Sequence, residues 1–107
     1  MTDLTEKTCQ TRDGGALKGD ELRKLFAQLP YGWTMPNEHH LEKEYRFKDF
    51  RDALGFVNRL GEVAEEQGHH PDIFLAWGRV KVTLWTHSVG GLSENDFILA
   101  ARADQLA

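Results

Sequence analysis

With 107 residues, 40% of them hydrophobic and 28% charged, the chain has material for one compact domain and no room for a second. Three Trp, six Phe and two Tyr can furnish a core, which excludes low-complexity disorder for the body of the chain. Thirteen Lys and Arg against 17 Asp and Glu leave a net charge of -4, which argues against a bulk electrostatic grip on nucleic acid.

Residues 1–16 show no apolar period and read as a flexible N-terminal arm ahead of a single domain, residues 17–107. Their polar start lacks a signal-peptide pattern. Cys9 is the single cysteine, so an intrachain disulfide is excluded and a reducing, cytoplasmic setting is expected. No apolar run approaches membrane-spanning length, so no membrane partner is expected.

Leu22, Leu25, Phe26 and Leu29 form one helical stripe, with Asp20 as its cap and Pro30 as its stop. Residues 31–36 are short and aromatic, and the polar turn Asn37-Glu38-His39-His40 follows. Leu41, Tyr45 and Phe47 alternate with Glu42, Glu44 and Arg46, a half-buried strand in which Lys43 can snorkel. Residues 49–67 carry Phe50, Ala53, Leu54, Val57, Leu60, Gly61 and Ala64 on one stripe, the expected central helix, capped by Gly68. Residues 73–77 and 80–86 read as a hairpin turning at Gly78, and a last helix begins at Ser93. The order helix, two strands, helix, two strands, helix predicts an α+β fold: a four-stranded, mainly antiparallel sheet with three helices on one face.

Histidine is the side chain that gives and takes protons near neutrality, and the chain has five. His39 and His40 sit in a Glu-rich turn and read as solvated. His69-His70-Pro71 lies past a helix cap on irregular backbone, where two adjacent imidazoles can converge on one ligand; a polar connecting loop is the alternative. Glu65 falls on the shoulder of the apolar stripe, half shielded, and is either an imidazole-orienting group or a surface carboxylate. His87 ends the fourth strand on the face of Thr83 and Trp85. Ser93 and Asp96 have capping-box spacing, flanked by a staple of Leu92 and Phe97. No phosphate-binding loop is present, and the histidine spacings do not suit a zinc site, so no metal is expected.

Glu65-x-x-x-His69-His70-Pro71, then Trp77, His87 and Asp96 at their spacings, resembles the signature of the pterin-4-alpha-carbinolamine dehydratases. Phe47-Lys48-Asp49-Phe50, Thr86-His87 and Gly91-Leu92-Ser93-Glu94-Asn95-Asp96 are similar too, so the likeness spans about residues 17–104. The resemblance implies dehydration of a 4-alpha-hydroxytetrahydropterin to the quinonoid dihydropterin, which recycles the cofactor of aromatic amino acid hydroxylases. It implies His69, His70 and His87 as catalytic residues, Glu65 and Asp96 as supports, and Trp77 and Thr86 at the substrate. It implies no metal or other cofactor, and a homodimer or homotetramer. The alternative within the same fold is a non-catalytic binding module, either a transcription-factor dimerisation partner or a Rubisco assembly factor.

Overall fold

Val80, Val82 and Leu84 alternate with Lys81 and Thr83, which makes β3 (Arg79–Leu84) a strand with one buried face. In the computed structural model, which describes residues 3–10 and 14–107, β3 lies at the centre of an antiparallel sheet. It pairs with β1 (Leu41–Arg46) on one side and β2 (Asp72–Ala76) on the other, in register Leu41–Leu84 and Asp72–Thr83. The β2–β3 hairpin turns at Trp77-Gly78 as expected. A side chain at Gly78 would stand 2.8 Å from the Phe47 carbonyl oxygen, so only glycine permits this approach.

Three helices complete the α+β fold: α1 (Gly19–Ala27), α2 (Phe50–Gln67) and α3 (Glu94–Leu106). The sheet has three strands among the described residues, not the four expected. Residues 31–36 meet β1 only at a single bridge, where Thr34 and Glu42 exchange two backbone hydrogen bonds of 2.9 Å. Pro30 and Pro36 lack N–H donors, and Gly32 has φ of 114°, so a longer ladder cannot form.

Two helix details also differ from expectation. Lys18, in extended backbone, precedes α1 without a side-chain cap, and Asp20 lies inside the first turn, 3.3 Å from Arg23. On α2 the buried stripe is Ala53, Phe56, Leu60 and Ala64, while Phe50 and Leu54 face outward. The most deeply packed helix is α3, not α2, with Phe97, Ile98, Leu99 and Ala100 all within the core.

The described part of the expected arm is docked. Leu4 is buried, Lys7 pairs with Glu94 at 2.9 Å, and Arg102 donates to the Lys7 carbonyl at 2.6 Å. Lys43 turns inward rather than snorkelling. Its Nζ meets Asp104 Oδ1 at 2.7 Å, which also accepts from the Tyr45 hydroxyl at 2.6 Å, while Trp33 Nε1 donates to Oδ2 at 2.9 Å. Burial, reinforced by the Asp104 carboxylate, pushes the Tyr45 phenol far above its ordinary range.

Candidate functional site

Strand register decides which histidines meet. His39 and His40 precede β1, His69 and His70 precede β2, and His87 follows β3. Because Leu41 and Asp72 pair with Leu84 and Thr83, all five histidines gather at one end of the sheet.

α2 delivers His69 to that end. Asp49 caps its start by accepting from the Asp52 amide at 2.8 Å. At its end, Gly68 takes the left-handed conformation (φ 64°) and His69 N–H returns to the Ala64 carbonyl. The His69 imidazole is 11% exposed and its Nε2 lies 2.6 Å from Asp96 Oδ1, a carboxylate with no exposure at all.

Asp96 comes from the first turn of α3, and its other oxygen is fully engaged. Oδ2 accepts from the Thr86 hydroxyl at 2.7 Å and from the Ser93 amide at 2.9 Å. The Ser93 side chain accepts from the Asp96 amide, completing the expected capping box, and its Oγ lies 2.7 Å from Thr86 Oγ1. Proton accounting orders these bonds. A carboxylate only accepts, so Thr86 donates to it and the Ser93 hydroxyl donates to Thr86. By the same rule His69 Nε2 donates to Oδ1, which leaves Nδ1 as the ring nitrogen outside this bond. Asp96 thus closes the helix cap and fixes an imidazole at once.

The remaining candidates divide. His70 Nε2 is 3.3 Å from Glu65 Oε2, with His70 61% and Glu65 79% exposed, so Glu65 is in solvent rather than half shielded. Its helical angle puts it beyond the edge of the packed face. β3 ends at Leu84, and His87 opens a 3₁₀ turn (His87–Val89) instead of ending a strand, because Thr86 leaves the ladder to bridge Gly91. Thr86 itself is buried with its hydroxyl directed to Asp96, the carboxylate that also meets His69. Trp77 is not brought to the histidines. It sits at the hairpin turn, a strand length or roughly 16 Å from them, and is 67% exposed.

His39 and His40 are half-buried rather than free in solvent. Trp85, one residue beyond the Leu41–Leu84 pair that ends the ladder, packs against His39 (ring centroids 4.6 Å apart) and against His87 (3.7 Å). His40 lies 3.1 Å from His39 and 3.3 Å from Glu42. The β1–β3 register carried this signal, since it faces Trp85 toward the turn. Among the described residues no group of three His, Cys, Asp or Glu is arranged to hold a metal ion, and no helix is long and apolar enough to cross a membrane.

The sequence pattern of the family described as Pterin 4 alpha carbinolamine dehydratase matches residues 15–106. A protein of Rubrobacter xylanophilus named "Putative pterin-4-alpha-carbinolamine dehydratase" is 54% identical over 108 residues, covering 99% of this chain and 100% of its own. One of the same name from Alkaliphilus metalliredigens is 47% identical, covering 98% and 96%. The crystal structure of a transcriptional coactivator/pterin dehydratase from Brucella melitensis superposes with a TM-score of 0.81 at 34% identity, over 87% of this chain and 99% of that one. A pterin dehydratase-like RuBisCO assembly factor of the alpha-carboxysome gives 0.62 at 28% identity, over 72% and 90%. With the motif spacing, the fold and near full-length identity in agreement, the chain belongs to the pterin-4-alpha-carbinolamine dehydratase family.

Proposed function

We propose that this chain dehydrates a 4-alpha-hydroxytetrahydropterin to the quinonoid dihydropterin and water, regenerating the cofactor of an aromatic amino acid hydroxylase. Hydroxide leaves poorly, so an acid must protonate it as the carbon–oxygen bond breaks. The neighbouring ring nitrogen releases its proton to a base as its lone pair becomes the new double bond. One proton is delivered, one is removed, and water departs. The pterin supplies the electron pair for this step.

The observation that supports an enzyme most is the 2.6 Å contact of His69 with the buried Asp96. A surface used only for docking has no need of an imidazole whose proton-bearing nitrogen is set from within the core. In this assignment His69 and His87 act as acids from different sides of the pterin ring, and His70 is the base or holds the substrate. Asp96 supports His69, and Glu65 supports His70 weakly. The test is decay of a chemically generated carbinolamine followed optically with micromolar protein. Acceleration over the spontaneous rate, with a bell-shaped pH dependence, supports the assignment. No acceleration would shift the reading to a non-catalytic binding module, for which the carboxysome relative, named a RuBisCO assembly factor, is a precedent of the same fold.

The active form is proposed to be a homodimer or homotetramer. β2 is an edge strand, and Phe74 on it, with Phe50 and Leu54 on α2 and Trp77 at the turn, leaves large apolar side chains exposed. Sedimentation as a monomer at micromolar concentration would contradict this.

A further inference from the structure

We propose that Trp85 and His39 are positioning residues for His87, so that residues 36–40 act as a buttress for the site. The proposal rests on the reading of His87 as a site residue and adds what holds its ring. His87 is exposed on a three-residue 3₁₀ turn, and a Gly90-Gly91 pair follows. That backbone alone leaves the imidazole free to swing. Its contact with the Trp85 indole, 3.7 Å between centroids with the planes 31° apart, supplies a fixed surface.

Trp85 is itself half-buried on the open face of the sheet, the side of Thr83 and Lys81. His39 packs against it at 4.6 Å and 44°. His39 is held in turn through His40, 3.1 Å away, whose far nitrogen reaches Glu42 at 3.3 Å. Glu42 also meets Lys81 at 3.5 Å. The ionisable groups facing the stack are therefore His40 and Glu42 from the β1 side and Lys81 from β3.

The turn that delivers His39 is strained. Asn37 and Glu38 have φ of 55° and 54°, the left-handed region that a glutamate rarely occupies. Such backbone persists where surrounding contacts over-determine it, and it clusters at functional sites. Here it aims His39 at the indole. Ring placement matters because proton transfer depends on geometry: a shift of about 1 Å can lower a rate by roughly a hundredfold.

The test combines proton NMR of the His87 ring with kcat and KM for the full-length chain and three variants, Trp85→Phe, Trp85→Leu and His39→Ala. In the wild type the His87 ring protons are expected upfield, displaced by the indole ring current. Trp85→Leu removes the displacement and lowers kcat about tenfold at nearly constant KM, because an aliphatic side chain fills space without orienting a ring. Trp85→Phe restores most of kcat, and His39→Ala gives a smaller displacement and an intermediate kcat. An undisplaced His87 in the wild type overturns the proposal, and so does Trp85→Leu or His39→Ala with wild-type kcat. If Trp85→Leu does not fold, His39→Ala decides, since it leaves the indole in place. Absence of dehydratase activity in the wild type defeats the functional reading alone. The ring-current displacement and its reduction in His39→Ala then still decide the stack.

Discussion

His69 and His70 are adjacent in sequence yet occupy opposite surroundings. The first is 11% exposed and tied at 2.6 Å to a fully buried carboxylate; the second is 61% exposed and lies 3.3 Å from a carboxylate that is itself 79% exposed. Past the Gly68 cap the chain is irregular and Pro71 keeps it so, which lets neighbouring rings reach different partners. A charge-assisted bond in the interior orients its partner strongly, whereas an exposed pair contributes only about 0–1 kcal/mol after screening. Two similar His–carboxylate pairs therefore differ in what they can do: one fixes a ring, the other only biases it.

Substitution of each partner breaks this contrast at a different strength. His69→Ala has the largest expected effect, lowering turnover by about a hundredfold or more, whereas His70→Ala lowers it while leaving the thermal melt unchanged. Steady-state rates beside melting curves separate the two. Thr86→Val keeps the side-chain shape but removes one donor from Asp96, so stability should fall by about 1–3 kcal/mol, read from the urea midpoint. A wild-type midpoint there would mean the hydroxyl chain behind Asp96 adds nothing.

A second buried carboxylate, Asp104, gives a control away from the histidines. The Tyr45 phenol bonded to it keeps its proton in the folded chain at pH values where the unfolded chain loses it. The unfolded state then binds fewer protons, so this contribution is fully present below about pH 10 and is lost as pH rises beyond it. Melting temperature should fall across that alkaline range in the wild type and fall less steeply in Tyr45→Phe. The smallest expected change is Glu65→Gln, under about 0.5 kcal/mol of stability, because its exposed pair with His70 is screened.

The sequence made the elements legible where local patterns set them: the hairpin at Gly78, the Gly68 cap and the Ser93–Asp96 capping box all occur as expected. It misled where tertiary packing decides. The outward turn of Phe50 and Leu54 depends on which face of α2 meets the sheet, and the missing fourth strand reflects backbone that two prolines and Gly32 interrupt. Of the candidate site, the motif spacing singled out His69 and Asp96, which the fold brings into contact across 27 residues of sequence. The direction of the Thr86 hydroxyl was not legible, because it depends on the bridge to Gly91. His39 and His40 looked solvated because a Glu-rich turn gives no local hint of an indole across the sheet.

Whether Asp96 acts through His69 or only caps α3 is tested most directly by carbinolamine turnover against pH for the wild type and Asp96→Asn, each beside a thermal melt. Asn preserves the shape of a side chain that has no exposure, but it removes the negative charge and replaces one acceptor with a donor. Stability should fall by about 1–3 kcal/mol. Turnover, measured well below the melting temperature, should fall by about a hundredfold, because His69 loses the acceptor that fixes its proton to Nε2. Wild-type turnover in a folded Asp96→Asn protein would contradict the account and return Asp96 to helix capping alone.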